Sequence, residues 1–541
     1  MNVQSKTIQK RWDVVIIGSG FGGSLSALQL ARAGLDVLLL ERGDWVARDD
    51  SAWDVHQILV DRKYKAHTPF EADQMIGRGM VQPDIAVGGS SVFYGAASLR
   101  LRESDFQAHT TFGDIAESNG LSFIDWPVRY DEFASYYDRA EAMLDVAGES
   151  KADPCEPPRE ADYPQKFPRY SKAAQLIADA ASSLGLQPFP LPLAINYHKD
   201  HERKACVHCT TCDLFPCKIC AKNDLSVTIL PQAIGEGAVI RPNVVANRLV
   251  HHNGRITAVA CVDTKTGDAF QVACGLCIVS AGAIGSAKLL LASGLNQSKY
   301  NGDLVGRYLL RHCNGIVIGI FPFETNPERR FNKQVAITDF YYGNPERSDL
   351  PGPWGMIQAL QVPPAEYIQS QAPPPISTIG AATTRFHSYL LCIAEDLPNP
   401  ENRVKLHAIQ KDAFGSPIAS VHSQYHKRDK AARRALYREG ARILRKAGAA
   451  IRVRKPINTY SHAIGTCRFG SSPESAVLDP YCNFFGIKNL FVVDGSFMPT
   501  AGGVNPSLTI AANALRVSDY VAENWQHHVG ERKTESDADV R

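Results

Sequence analysis

Residues 13–41 constrain the fold more than any other stretch. Asp13 to Ile17 (DVVII) is a short β-branched run of the kind that makes a buried parallel strand. It leads into Gly18-Ser-Gly20-Phe-Gly-Gly23. Ser24 to Ala33 follows with apolar residues at helical spacing and ends at Gly34. A second strand, Asp36 to Leu40, finishes at Glu41. This is a complete βαβ unit with an acid about twenty positions beyond the glycines. Gly18 permits a tight turn, Gly20 lets backbone N–H groups approach a pyrophosphate, and Gly23 lets helix and strand pack closely. The helix N-terminus favours phosphate charge, and Glu41 is placed to accept from ribose hydroxyls. The unit predicts dinucleotide binding; its alternative is a glycine-rich turn that binds nothing. The motif alone does not separate FAD from NAD.

A chain of 541 residues is too long for one simple core and predicts two or three compact units. The formal net charge of +2 gives no electrostatic reason for nucleic acid or an anionic membrane to be the main partner. The longest apolar runs, such as Val14 to Ile17 and Val37 to Leu40, are strand-length, so no membrane insertion is expected. The N-terminus, MNVQSKTIQKRW, carries no apolar signal core; the expectation is a cytoplasmic protein without a cleaved leader. Five of the thirteen cysteines crowd between Cys206 and Cys220. An odd total with one tight cluster is unlike an extracellular disulfide framework and points to metal, redox chemistry or packed thiols.

Three further segments carry a family resemblance. The first is Val87-Gly88-Gly89-Ser90-Ser-Val-Phe-Tyr-Gly95, followed by Arg100 and Asp105. The second runs from Val279-Ser-Ala-Gly282 to Gly294-Leu295. The third comprises Ser461-His462-Ala-Ile-Gly-Thr-Cys467, Asn489 to Thr500 and Asn505-Pro506-Ser-Leu-Thr-Ile510. With the βαβ unit they stand in the order and spacing of the glucose–methanol–choline (GMC) oxidoreductases, which the chain resembles over nearly its whole length. The resemblance implies FAD as cofactor. Gly88, Gly89 and Ser90 would form a turn against the flavin, Gly282 a turn closing over the nucleotide, and Asp494 a contact near the ribityl chain. The chain departs from the family pattern at Tyr94, usually Asn or His, at Ala287, usually Pro, and at Asn296, usually Gly. The turn around Phe93 lacks the histidine that some members use to attach FAD, so non-covalent FAD is expected.

Oxidising an alcohol needs a base near the hydroxyl, and histidine suits neutral pH. It also needs a hydrogen-bonding partner that holds the substrate oxygen as charge develops. The resemblance places His462 as that base and Asn505 as the partner. Taken alone, His462 opens a strand-like, glycine-rich segment and reads as a core histidine. Asn505 reads as an N-cap with Pro506 at the first helical position. The positive end of that helix, aimed at the flavin, would stabilise its reduced anion. Asp494 in Val-Val-Asp-Gly-Ser also reads as a turn-forming residue after a buried strand.

The cysteine segment, Cys206-Val-His-Cys209-Thr-Thr-Cys212, then Cys217-Lys-Ile-Cys220, admits three readings. Cys206, Cys209 and Cys212 have the gaps of an iron–sulfur run. Cys206/Cys209 with Cys217/Cys220 form two Cys-x-x-Cys pairs, closely set for a zinc ribbon. The third reading is packed thiols without metal. His208 is expected to be an exposed neighbour. Some dehydrogenase catalytic subunits of the family carry an iron–sulfur cluster in such a stretch.

The expected fold is α/β: a discontinuous, doubly wound Rossmann-like FAD domain (1–110, 205–305 and 456–526). An inserted α+β substrate domain (111–204 and 306–455) would carry a mostly antiparallel sheet, and 527–541 a mobile tail. Lys427 to Ala447 predicts an amphipathic helix with a solvated basic face. Ser370 to Ser377, broken by Pro373 to Pro375, predicts a loop over the substrate side. The reaction implied is oxidation of a CH–OH group to a carbonyl, with electrons passing to oxygen or another acceptor. His, Tyr, Asn and Arg in the presumed substrate segments favour a polar, sugar-like alcohol. The alternatives are the catalytic subunit of an electron-transfer complex with a partner subunit, a non-catalytic flavin protein and, more distantly, an NAD dehydrogenase.

Overall fold

The computed structural model describes residues 10–66, 69–74, 77–199, 202–297, 303–371 and 373–529. The βαβ unit forms as its residues dictate: β1 (Arg11–Ile17), α1 (Phe21–Arg32) and β2 (Val37–Leu40). Val14 to Ile17 and all of β2 are buried, as strands covered on both faces must be. They pair in parallel, Val14 opposite Val37 and Ile17 opposite Leu40. Four later strands join them: β3 (Val239–Arg241), β4 (Val244–His252), β5 (Arg255–Asp263) and β6 (Ala269–Val279). The sheet order is β3-β2-β1-β6-β5-β4, with the strand Leu490–Val492 also pairing with β6. The core of the sheet is parallel, while β4, β5 and β6 form an antiparallel meander on one edge. Helix α2 (Ala283–Ala292) leaves the C-terminal end of β6.

A second sheet lies above this layer. It contains β7 (Gly315–Ile320), β8 (Val335–Ile337), β9 (Gly355–Leu360) and β10 (His387–Ala394). Helix α3 (Lys427–Lys446) then leads into β11 (Ile451–Pro456). The order is β11-β7-β10-β9-β8, extended by Phe189–Pro190, and every pairing is antiparallel. One face of this sheet packs on α3 through Val317, Leu390, Leu436 and Ile443. Met356, Leu391 and Ile393, on the opposite face, join the large core shared with the nucleotide sheet. A four-stranded sheet ties early and late chain together, with Pro417–His422 running parallel to Phe70–Gln74. Helix α4 (Ser507–Glu523) packs against α1.

Three local expectations change in the fold. The basic face of α3 is only partly solvated: Arg434, Arg438 and Arg445 are exposed, but Arg428 and Arg433 are buried. The proline segment is a short connection between two helices, Ala365–Ser370 and Ile376–Ala382, because Pro364 and Pro375 cap rather than break them. His527 does not start a mobile tail. Trp525–Val529 is a helical turn, and His528 is buried with its ring nitrogen 2.8 Å from the Lys488 carbonyl. Residues 530–541 lie outside the described residues. Among the described residues no helix is long and apolar enough to cross a membrane.

Candidate active site

The glycine turns are packed to backbone distance. A Cβ on Gly23 would sit 1.9 Å from the Gly18 carbonyl oxygen, and one on Gly18 (φ +97°) 2.3 Å from that of Ser280. Gly20 differs: a Cβ there would meet nothing within 4 Å. Gly282, at the start of α2 with φ +77°, also faces open space. Helices α1 and α2 therefore begin beside two open glycines, and no side chain caps either. Their first N–H groups have no partner within the helix, which suits them to an anionic diphosphate. The Gly88–Gly89 turn closes over this gap, since a Cβ on Gly89 would lie 2.9 Å from the Gly20 Cα. The cradle thus fits a dinucleotide on its own geometry.

Two buried carboxylates brace it. Glu41 accepts from the Ser19 amide (2.9 Å), the Ser19 hydroxyl (2.7 Å) and the Gly43 amide (2.9 Å). The Ser19 hydroxyl in turn accepts from the Gly88 amide at 2.9 Å, joining the two glycine turns. Asp494 accepts from the Gly282 amide (3.0 Å), the Ser286 hydroxyl and the Ser496 amide (2.9 Å) and hydroxyl. Both Asp494 oxygens are therefore engaged by protein donors. Ser90 is exposed on its turn, while the buried Ser91 closes the turn onto the Gly88 carbonyl at 2.7 Å. Of the signature residues beyond the turn, Arg100 is buried between Asp138 and Glu141, both 2.6 Å away. Asp105 accepts from the Tyr341 hydroxyl at 2.6 Å.

His462 and Asn505, 43 residues apart, come together: Asn505 Nδ2 lies 3.4 Å from His462 Nε2. The segment holding His462 is irregular rather than strand-like; it is pinned by an isolated bridge between Ile464 and Leu310 and by the amides of Gly465 and Cys467, which donate to the carbonyls of Gly495 (3.0 Å) and Ser496 (2.9 Å). Asn505 does not cap a helix. Pro506 takes the cap position of α4, because the Asn505 side chain is turned to the imidazole. Asn505 Oδ1 is buried without a partner, an acceptor left free beside the base. Helix α4 begins at this point, so its positive end opens on the pair.

Sequence reasoning missed a third member. His312 Nδ1 stands 3.0 Å from His462 Nδ1, and His312 Nε2 is 2.9 Å from the Gly502 carbonyl oxygen. The two rings meet edge to face, 5.1 Å between centroids. Asp396 holds this backbone, accepting from the amides of Arg311 and His312, each at 2.9 Å. His312 has φ +57°, a strained conformation for a residue with a side chain. Burial pushes the His462 pKa well below the ordinary histidine value, and His312 and Lys333 push it the same way. Burial also lowers His312, against the pull of Asp396. Both rings are therefore neutral near pH 7. No local pattern around Arg311-His312-Cys313 could have announced this role, because it exists only through contact with residues 396, 462 and 502.

The cysteine loop packs directly on the second glycine turn. The Leu214 amide donates to the Phe93 carbonyl at 2.9 Å. Lys222 Nζ bridges the carbonyls of Tyr94 (3.0 Å), Cys212 (3.1 Å) and Phe215 (2.8 Å). Cys206, Cys209, Cys212 and Cys217 line one small, mostly apolar cavity with Ile195 and Phe331; Cys220 does not. The Cys206 sulfur accepts from the His208 amide at 3.3 Å. All five thiols are free of disulfides. Burial pushes the Cys206 thiol up to about 12 and Cys212 well above its ordinary value. Among the described residues no three His, Cys, Asp or Glu side chains form a group that could hold a metal ion. His208 is half-buried and stacked on Tyr197 at 5.6 Å, rather than exposed.

Comparison with known proteins agrees with this geometry. A model described as FAD binding domain matches residues 13–53, and two described as GMC oxidoreductase match 71–314 and 398–514. The chain is 31% identical to 6'''-hydroxyparomomycin C oxidase of Streptomyces lividus, across 96% of this chain and 92% of that one. It is 32% identical to paromamine 6'-oxidase of Streptomyces fradiae (94% and 91%). It is 26% identical to the fructose dehydrogenase large subunit of Gluconobacter japonicus (94% and 97%). Among solved structures, pyridoxine 4-oxidase from Mesorbium loti superposes with a TM-score of 0.64 at 19% identity, covering 96% of this chain and all of that one. The chain belongs to the GMC oxidoreductases, FAD-dependent enzymes that oxidise alcohol groups.

Proposed function

We propose that the protein oxidises a CH–OH group of a polar, sugar-like alcohol to a carbonyl, with His462 as the base and non-covalently bound FAD. The observation that carries this reading is the His462–Asn505 pair, which presents a neutral imidazole and an unpaired amide oxygen side by side. His462 Nε2 takes the hydroxyl proton as the carbinol carbon loses its hydride. Asn505 Nδ2 donates to the substrate oxygen while charge develops there, and Oδ1 is left to accept from a polar group of the substrate. The chemistry that FAD supplies when bound is acceptance of that hydride at N5. Gly18, Gly20 and Gly23 with the α1 N-terminus would hold the diphosphate, and Glu41 the adenosine ribose. Gly88, Gly89, Ser90 and Gly282 would enclose the flavin side, braced by Asp494. The α4 N-terminus behind Pro506 places positive potential beside the reacting centre. The discontinuous domain boundaries expected from the sequence belong to the same reading.

The relatives support the substrate class, since two of them are by name oxidases of 6'''-hydroxyparomomycin C and paromamine. The test is anaerobic mixing of the FAD-loaded protein with paromamine, 2-methyl-1,2-propanediol and fructose. Bleaching of the flavin by paromamine or fructose is expected. A flavin reduced only by 2-methyl-1,2-propanediol, or by none of them, would overturn the sugar-like reading.

A second reading concerns the acceptor. Four cysteines lining one cavity, three of them at two-residue gaps, support an iron–sulfur site. Cys206, Cys209, Cys212 and Cys217 would hold it, and one-electron transfer toward a partner subunit is the chemistry it would supply. The packing of this loop on Phe93 and Tyr94 supports that role. Iron assayed in protein purified without oxygen tests it: stoichiometric iron lost in Cys212→Ser supports the cluster, and iron-free protein overturns it.

A further inference from the structure

A second imidazole stands beside the candidate base. His312 is fully buried, belongs to none of the recognised motifs, and contacts the candidate base directly. Its two nitrogens have different neighbours, and this determines where the protons sit. The Gly502 carbonyl oxygen, 2.9 Å from His312 Nε2, can only accept, so Nε2 carries the proton. In a neutral ring His312 Nδ1 is then the acceptor. The facing atom, His462 Nδ1 at 3.0 Å, must therefore donate. With its proton on Nδ1, neutral His462 presents a bare lone pair at Nε2, on the side of Asn505. Asn505 Nδ2, a donor, is what stands against that lone pair, so the chain of donors and acceptors is consistent from Gly502 to Asn505.

We propose that His312 is the positioning residue of the reaction: it fixes His462 in the tautomer that can accept the substrate proton, and it shares that proton afterwards. This rests on His462 being the base. In the step, the substrate O–H bond breaks and a His462 Nε2–H bond forms. The Nδ1 proton of His462 then lies between two nitrogens 3.0 Å apart and can pass to His312 Nδ1. His462 is left neutral, protonated at Nε2, and the positive charge rests on His312. That position is built to receive it. Asp396 holds the amides of Arg311 and His312, and the Gly502 carbonyl accepts from Nε2. The Tyr425 hydroxyl donates to the His312 carbonyl at 2.8 Å. The other titratable and charged groups around the pair are Arg311 beside Asp396, Glu395 with Asp105 and Arg428 behind it, Asp429 facing Asp396, and Lys333 on the His462 side; burial raises all four of these carboxyls. Glu395 accepts from the Gly502 amide at 3.2 Å, so acids approach both the loop that carries His312 and the turn that accepts from its Nε2. A charge on His312 thus has the Asp396 carboxyl as a neighbour, whereas the neighbours of His462 are His312 and the cation Lys333.

The experiment is selective 15N-histidine labelling of the FAD-loaded protein, with the two resonances assigned from His312→Leu and His462→Ala. The expected result is His462 protonated at Nδ1 and His312 at Nε2, with His462 changing tautomer in His312→Leu. Turnover of the best alcohol from the panel above should fall by at least ~10²-fold in His312→Leu, in kcat rather than KM. His312→Asn retains an acceptor toward His462 and should recover tenfold or more of that loss, but with a shifted acid limb in its pH profile. His462 protonated at Nε2 in the unaltered protein would overturn the proposal. So would equal defects in the Leu and Asn variants, the mark of a merely structural role. If His312→Leu does not fold, an unshifted pH profile in His312→Asn overturns it. Failure of the base assignment looks different: His462→Ala would then retain full turnover, whatever the tautomers.

Discussion

At Gly18 and Gly23 an added methyl would collide with backbone at 1.9–2.3 Å, and every bracing carboxylate accepts from donors already in place. Around His462 the side chains stand 3.0–3.4 Å apart, an amide oxygen is buried unpaired, and a buried ring carries its proton on a nitrogen set by its neighbour. The first region is defined by the space its backbone excludes, the second by where its protons and lone pairs lie. A cradle that positions a large cofactor gains from rigidity. A centre that moves a proton needs groups balanced between two states, and strong burial with incomplete pairing produces that balance.

Substitutions should separate the two regions cleanly. Gly23→Val places a branched side chain on the Gly18 carbonyl and should cost more than ~4 kcal/mol, enough to abolish flavin binding and soluble protein together. Retention of a full flavin spectrum in that variant would break the comparison. His462→Ala should keep the flavin and lower turnover by about 10²–10⁴-fold, measured as kcat on protein matched for flavin content. Glu41→Gln is expected to fall between, because a neutral amide replaces the acceptor of two backbone N–H groups and a hydroxyl. About 1.5–3 kcal/mol of stability and flavin affinity should be lost, read from melting with and without added FAD, with kcat of the loaded protein nearly unchanged.

The smallest effect is in pH. His462 acts as a base only when neutral, and burial lowers its pKa. Turnover should therefore persist below the ordinary histidine value of about 6.5 and fall only as pH drops through the lowered one. An acid limb at or above that ordinary value would contradict the burial argument. Stability follows the same sign: the unfolded chain binds protons at His312 and His462 before the fold does, so their contribution weakens as pH falls below about 6.5. Asp105, raised by burial to about 6, opposes this, since the folded state keeps its proton longer than the unfolded chain as pH rises. The melting temperature should accordingly vary less between pH 5 and 7 than either group alone would give.

The cradle was legible because its chemistry is local. β1, the glycine turn, α1, β2 and Glu41 are consecutive, and each residue type does its work through backbone conformation that the sequence specifies directly. His462 and Asn505 could be named only through resemblance, and the helix-cap alternative at Asn505 gave way to a contact with the imidazole, because tertiary packing offered the side chain a partner that the isolated helix lacks. The cysteine spacing left three readings open; only the loop's path over Phe93 and Tyr94 separated four cysteines from Cys220.

By itself, then, the sequence determined the βαβ unit and the turns that need glycine, which follow from periodicity, backbone freedom and residue type acting over a few neighbouring positions; the antiparallel sheet and the kind of reaction were legible only through the family resemblance. Only the tertiary structure decided that His312 faces His462, that Ser19 links Glu41 to Gly88, and that Lys222 fastens the cysteine loop to the Gly88–Tyr94 turn. Proton position and hydrogen-bond direction depend on partners tens to hundreds of residues away in the chain, and those partners are brought within 3 Å only when two sheets and their connecting loops pack together.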